Sequence, residues 1–441
     1  MKKSLAFLLT AVTSVSLLFA GCGKGDKPAD KTGNDSGDAT PKVTTLNFWT
    51  FQELHKQFWD DAVITWNKNH PDKPIEVKTD VYPYDDMHNK LLIALQSGTG
   101  APDIADIEIS KFENYVKSSN PPLLELNDIV EPVKDNLVMG RLDTYAKNGK
   151  YYGVDYHAGA QVMYYNKEIL EKAGVNVDDI KTWDDYMEAG KKVVAATGIP
   201  MATIETTDQW TFYPLINMQG SDYFDKDGKA QLDNQINIKT LQMLYDMVYK
   251  DKIAVLTPGG NHHAEEYWAW MNKGNAASLW MPLWYMSRFE QYMPDLKGKI
   301  VVRPMPSFPG GKKSAGMGGT ATVIANQTKH EELAKQFMAE AKLSKEGSIK
   351  TWTVLGFDPI REDAWTDPAM EAPNKYTDYF GTDIFKTLQS IVGDISGLNL
   401  TENYPDATSL IQKNIMFKVL KEQSDTPEQA LREATEELNN K

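Results

Sequence analysis

Val43-Thr-Thr-Leu-Asn-Phe-Trp49 reads as a buried strand, and the residues that follow it decide the fold. Leu54, Phe58, Ala62 and Trp66 recur every four residues, the spacing of one helix face, and Pro71 stops the run. Residues 75–82 alternate well enough for a second strand. Met87, Leu91 and Leu95 mark a second amphipathic helix, ended near Ser97-Gly98-Thr99-Gly100. Asp103-Ile-Ala-Asp-Ile-Glu-Ile109 supplies a third strand. Strand, helix, strand, helix, strand is the order of a parallel α/β layer. Ligands of such sheets sit beyond the carboxyl ends of the strands. That rule puts residues 49–53 and 108–111 on the functional edge.

Downstream, residues 167–173, 237–249 and 329–342 predict helices. Thr182-Trp-Asp-Asp185 is a helix start with Thr182 as N-cap. Thr426-Pro427-Glu-Gln429 combines an N-cap, Pro in the first turn and a capping partner. No short internal repeat is visible. Some 400 folded residues, roughly, suggest two large domains or three small ones.

Upstream, residues 1–21 have a basic start, an uncharged and mostly apolar stretch and a small-residue end, which describe a secretory signal. Cys22 follows Ala20-Gly21 and is the one cysteine in the chain, at the place where a bacterial lipoprotein is cut and acylated. A plain secretory peptide with an incidental cysteine is the alternative. Cys22 is therefore the lipidation candidate, and the expected location is the extracellular face of the cell membrane, lipid-anchored. Residues 22–42 are rich in Gly, Pro, Asp, Lys, Ser and Thr and cannot bury apolar surface, so they predict a flexible tether. No second cysteine is present for a disulfide or a thiolate metal cluster. The net charge is −14, and loss of the signal removes two lysines and no acid, leaving the mature chain near −16. Such acidity makes nucleic acid a poor partner.

Several fragments resemble chemical motifs and fail in detail. Phe308-Pro-Gly-Gly-Lys-Lys-Ser314 lacks the first glycine of a phosphate loop and reads as a surface turn. Around Asp225-Lys-Asp227-Gly228, Tyr223 and Asn234 stand where a calcium loop needs carboxylates, so a β-turn is expected. His262-His263 with Glu265 and Glu266 lacks a partner cluster for a metal and reads as a solvated helix start. No Gly-x-Ser-x-Gly elbow is present. A pair of glycosidase carboxylates cannot be nominated from spacing among 61 acids. No residue set requires an enzymatic reaction, a cofactor or a metal.

Aromatic content is the positive signal. The 11 Trp and 20 Tyr cluster at residues 49–51, 82–84, 151–156, 210–213, 267–270 and 280–285. A sugar ring has an apolar C–H face that an indole covers and a hydroxyl rim that carboxylates, amides, Arg and His can bond. The opposing reading is core packing, strongest for Trp59, Trp66 and Trp183 on helix faces.

Taken in order, further segments resemble the solute-binding lipoproteins of carbohydrate ABC importers (family 1). They are Gly149-Lys-Tyr-Tyr-Gly153, Met163-Tyr-Tyr-Asn-Lys-Glu168, Ala173-Gly174, Thr182-Trp183-Asp184, Trp270-Met-Asn-Lys-Gly-Asn-Ala-Ala277, Pro282-Leu-Trp284, Gly318-Gly319 and Gly356-Phe-Asp-Pro-Ile-Arg361. Within that family, Val81-Tyr-Pro-Tyr-Asp-Asp-Met-His-Asn-Lys-Leu-Leu92 and Val154-Asp-Tyr-His157 are most similar to arabinose and arabino-oligosaccharide binders of Gram-positive bacteria. The resemblance implies an α/β, two-lobed periplasmic-binding-protein-like fold of type II, with hinged lobes and a ligand cleft between them. It implies one lobe at 43–157 plus 317–343 and the other at 158–316 plus 344–441. It also implies a non-enzymatic monomer, with an oligosaccharide ligand, membrane permease subunits and a separate ATPase as partners. The ligand-binding candidates are Trp49, Phe51, Glu53, Tyr84, Glu108, Lys111, His157, Trp210, Trp284 and Arg361. Of these, Trp210 and Trp284 fall where related proteins place stacking aromatics. His157 lies at the first hinge crossing and has a structural reading too. Arg361 forks onto ring hydroxyls or closes a surface salt bridge. Where maltodextrin binders carry an aromatic after the third strand, this chain has Ile107 and Glu108, which argues against that ligand. A secreted glycoside hydrolase acting on arabinan, and a binder of xylo- or malto-oligosaccharides, remain as rivals.

Overall fold

The structure, a computed structural model, describes residues 41–391 and 393–440. The expected signal, Cys22 and nearly all of the expected tether lie outside the described residues. Strand β1 (Thr44–Thr50) leads into helix α1 (Glu53–Asn69), β2 (Ile75–Val81), α2 (Tyr84–Ser97) and β3 (Ile104–Glu108). β1 pairs in parallel with both β2 and β3, as the sequence pattern predicts. The sheet is buried on both sides, so residues along β1 alternate between two cores. Leu46 and Phe48 meet Phe58, Trp59 and Trp66 of α1, whereas Trp49 meets Met87, Leu91 and Leu95 of α2. Each such buried aromatic contributes about 2 kcal/mol through removal from water.

The chain returns to this sheet at β4 (Gly153–Asp155), then leaves it for β5 (Gln161–Asn166). Next come α3 (Trp183–Thr197), α4 (Gln235–Tyr249), α5 (Glu265–Met271), β6 (Ser278–Pro282), α6 (Met286–Tyr292) and β7 (Ile300–Arg303). The strands of this second set form an antiparallel sheet in the order β6-β5-β7. α3 begins with a full capping box, in which Thr182 Oγ1 accepts from Asp185 N at 3.1 Å and Asp185 Oδ2 accepts from Thr182 N at 2.9 Å. The Asp225 turn is as expected: its side chain accepts from Asp227 N and Lys229 N.

A second crossing, through β8 (Ser314–Ala315), brings in β9 (Thr320–Ile324). β9 inserts antiparallel between β3 and β4, completing the order β2-β1-β3-β9-β4. The first sheet is thus mixed. α7 (Glu331–Met338) runs on into a wider turn over Ala339–Leu343. β10 (Ile395–Ser396) pairs in parallel with β8. α8 (Tyr404–Leu410) and α9 (Pro427–Asn439) complete the set. At α9 only half of the expected cap forms. Thr426 Oγ1 accepts from Gln429 N, but the Gln429 amide turns to Glu433. No helix among the described residues is long and apolar enough to cross a membrane.

The crossings between the two sheets lie side by side. Met317 N donates to the Gly159 carbonyl at 2.7 Å, and Gly316 N to the Ser396 carbonyl at 2.9 Å. Asp358 ties a third passage to the first, since Ala158 N donates to its carbonyl and Ala160 N to its Oδ2, both at 2.8 Å. Residues 344–361 belong to this passage: Leu355, Phe357 and Ile360 pack in a core of the first sheet, and Trp352 in a core of the second. Gly319 is required here. Its φ is +150°, and a Cβ would stand 2.3 Å from an Arg141 nitrogen and 2.7 Å from the Asp155 carboxylate. Those two groups form a buried ion pair at 2.8 Å beside the crossing.

Candidate functional site

β1 and β3 end at a cavity of about 700 Å³ whose walls come from both sheets. Phe51 follows β1, Glu108 ends β3 and Ile109 to Lys111 follow it, so the strand-end rule places these residues correctly. α1 adds His55, and α2 adds Tyr84. The facing wall carries Asp208, Gln209, Trp210, His263, Trp268, Trp284 and Arg288, with Tyr404, Thr408 and Gln412 from the α8 region. The crossings supply the floor through His157, Gly318, Gly319 and Phe357.

The facing wall is an aromatic corner. Trp284 lies near-parallel to His263, with centroids 5.7 Å apart and planes at 16°, and meets Trp210 edge-on at 5.3 Å and 79°. Trp284 Nε1 donates to the Met317 carbonyl at 3.2 Å, which fixes the ring against the second crossing. Behind this corner, the buried Glu205 carboxylate joins two loops, accepting from His262 N at 2.9 Å and Thr211 N at 3.2 Å. Burial, with Asp208 nearby, holds the Glu205 carboxyl well above the usual carboxylate range. On the opposite wall, Phe51 meets the Tyr84 ring edge-on at 5.1 Å.

Glu108 is locked in place. Its Oε2 accepts from Tyr84 OH and Ser110 N, each at 2.9 Å, and from Ser110 Oγ. Burial raises its pKa, against the opposing pull of these donors. Asp208 accepts from Gln412 Nε2 at 2.9 Å, and burial raises its pKa as well. His55 Nδ1 lies 2.8 Å from the fully buried Asp106 Oδ2, and its ring stacks on Tyr156 at 4.3 Å. Burial lowers the pKa of His157 to about 3, outweighing the attraction of Asp155, and its Nδ1 is buried without a hydrogen-bond partner. Burial, and then Arg288, bring His263 to about 3. These two imidazoles are neutral at physiological pH, able both to donate and to accept.

Seven of the ten sequence candidates line this cavity: Phe51, Tyr84, Glu108, Lys111, His157, Trp210 and Trp284. Three do not. Trp49 is still within β1, where both sheet faces are covered, and its ring packs on Tyr82 at 5.5 Å. Glu53 opens α1 as an exposed residue, while the same turn sends Leu54 and His55 to the wall. Arg361 is taken by its own neighbourhood: Nε lies 2.6 Å and Nη2 3.0 Å from the Asp363 carboxylate, and Nη1 is 2.6 Å from the Leu343 carbonyl. The surface-pair reading of Arg361 describes it.

Sequence reasoning missed His55, Asp208, Gln209, Trp268, Arg288 and the α8 region. The signal for Arg288 was its place one helical turn after Trp284. His262 corrects an expectation. It is fully buried, with Nε2 2.9 Å from Thr203 Oγ1, and is no solvated helix start, whereas its neighbour His263 faces the cavity. No group of three or more metal-ligating side chains occurs among the described residues.

Comparison with known proteins supports this architecture. A protein from Bacillus subtilis strain 168, named arabinooligosaccharide-binding protein, is 50% identical over 444 residues, covering all of both chains. A protein of the same name from Halalkalibacterium halodurans is 50% identical over 91% of this chain and 90% of its own. Among solved structures, the GacH receptor of Streptomyces glaucescens superposes with a TM-score of 0.74 at 18% identity, covering 90% of this chain and 98% of that one. That likeness establishes the two-lobed fold. The sequence profile of bacterial extracellular solute-binding proteins matches residues 49–346, and the chain belongs to that family.

Proposed function

We propose that this chain captures arabino-oligosaccharides in the cavity and delivers them unaltered to the membrane subunits of an ABC importer driven by a separate ATPase. The observation that carries this reading is the wall chemistry. Trp210, Trp284 and His263 on one side, and Phe51 and Tyr84 on the other, flank carboxyl, amide and imidazole groups. Flat rings suit the C–H face of a sugar, and the polar groups suit its hydroxyl rim. The names of the two relatives at 50% identity support arabino-oligosaccharides over other sugars. We take Phe51, Tyr84, Glu108, Lys111, His157, Trp210 and Trp284 as ligand contacts.

Walls drawn from two sheets support capture by closure, because ligand touching both halves favours the closed form through its differential affinity. We assign residues 43–157 with 317–343 to one lobe and 158–316 with 344–441 to the other, 344–361 forming the third passage. Acylation of Cys22 would anchor the protein, a monomer, to the outer face of the membrane through the tether of residues 22–42.

Arabinotriose should raise the melting temperature. At 100 times Kd, binding to the native state alone adds about 2.7 kcal/mol. Absence of any shift with arabino-, xylo- and malto-oligomers would overturn the proposal. Incubation with arabinan should release no new reducing ends, and their release would overturn the binding-only reading.

A further inference from the structure

Arg288 stands on α6 one turn beyond Trp284 and lines the same cavity, on the helix that ends at the exposed Tyr292. Its guanidinium carbon lies 6.0 Å from the Trp268 ring centre. Trp268 in turn stacks on Tyr292 at 4.1 Å with planes at 3°, and Tyr292 is 39% exposed. The indole N–H of Trp268 is committed to the His262 carbonyl at 2.9 Å, so the ring is fixed. The chain has 61 acids against 47 bases, and Arg141, Arg303 and Arg361 each hold a carboxylate. Arg288 holds none among the described residues, and its Nε is buried with no acceptor. A buried donor without a partner carries a desolvation cost that a bound acceptor would remove.

We propose that Arg288 is a specificity-determining ligand contact whose N–H fork takes two neighbouring hydroxyl oxygens of a sugar unit beside Trp268, outside the units held by Trp210 and Trp284. This rests on the sugar-binding reading of the cavity and deepens it by adding an outer subsite. The planar guanidinium offers paired donors at fixed spacing, which an ammonium does not. Uncharged oxygens suit the place better than a carboxylate does. Asp85, Glu108 and Asp208 share the cavity with two lysines, Lys413 and Lys111, the latter 3.4 Å from Asp85, while His263, held neutral at this corner, puts no second cation beside Arg288.

The test is calorimetric binding of arabinobiose and arabinohexaose to the wild type, Arg288→Lys and Arg288→Met. Both variants should weaken arabinohexaose binding roughly 10-fold or more, and arabinobiose binding much less. The unliganded melting temperature of Arg288→Lys should stay close to that of the wild type, because no hydrogen bond within the protein is lost and a cation is kept near Trp268. Unchanged affinity for arabinohexaose in both variants overturns the proposal. Full affinity in Arg288→Lys beside a loss in Arg288→Met shows that charge alone acts, and overturns it too. Equal losses for both ligands overturn the outer placement. Tighter wild-type binding of a uronate-bearing oligomer than of the neutral one, lost in Arg288→Lys, replaces the hydroxyl pair with a carboxylate. A wild type that binds no arabino-oligomer overturns the functional reading and this one together, whereas a wild type that binds while both variants match it overturns only this one. Arg288→Lys keeps the stem and the charge, so the comparison stands even if Arg288→Met fails to fold.

Discussion

Trp284 is bonded to the second crossing, lies parallel to His263 and faces the cavity, so it joins the floor to the wall. Trp284→Ala should weaken arabino-oligosaccharide binding by about 2 kcal/mol or more, roughly 30-fold, as truncation of a buried aromatic anchor does. Calorimetry checks it, and unchanged affinity would return Trp284 to a packing role. How legible such residues were depended on where their neighbours end. Phe51 and Glu108 were readable because a parallel strand delivers its last residues to the ligand edge. Trp49 misled because it lies two residues too early, where alternation along β1 still sends each ring into one core or the other. Arg361 misled because Asp363, two positions on, captures its fork, a local competition that no motif reveals. His263 was weighed as a metal ligand and read as part of a solvated helix start, and its contact with Trp284 depends on a separate loop.

Among elements, the helices followed from apolar spacing and capping residues, and Thr182 shows why: the cap is a local interaction. The resemblance assigned the β9 segment to the first lobe, but its direction and its neighbours in the sheet were not legible in the residues. Its partners β3 and β4 are far away in sequence, and it enters the sheet from the opposite lobe. The crossings carry a titrating group. Burial moves Asp358 from 3.8 to about 7, and its Oδ1 has no hydrogen-bond partner. Between those values the folded protein keeps a proton that the unfolded chain has released, so this group's contribution to stability falls as pH rises. Asp358→Asn removes the titration and keeps an acceptor for Ala160 N. Its stability relative to the wild type should therefore grow from about pH 4 to about pH 8, by up to about 4 kcal/mol. Urea unfolding across that range measures it, and a pH-independent difference would refute the assignment.

For the whole molecule, closure predicts a smaller radius of gyration in solution scattering once arabinohexaose saturates the protein. Superimposable profiles with and without ligand would count against hinged capture. The placement of β9 has a further consequence, for biosynthesis. The middle of the first sheet stays vacant until residues 320–324 have been made, long after β3 and well after β4 have left the ribosome. A partly made chain holds β1, β2, β3 and β4 but lacks the strand that joins β4 to the rest, so this lobe cannot finish folding while the other is being synthesised. Nascent chains shorter than about 324 residues should therefore remain protease-sensitive, a delay that suits a polypeptide threaded through a translocon before it folds.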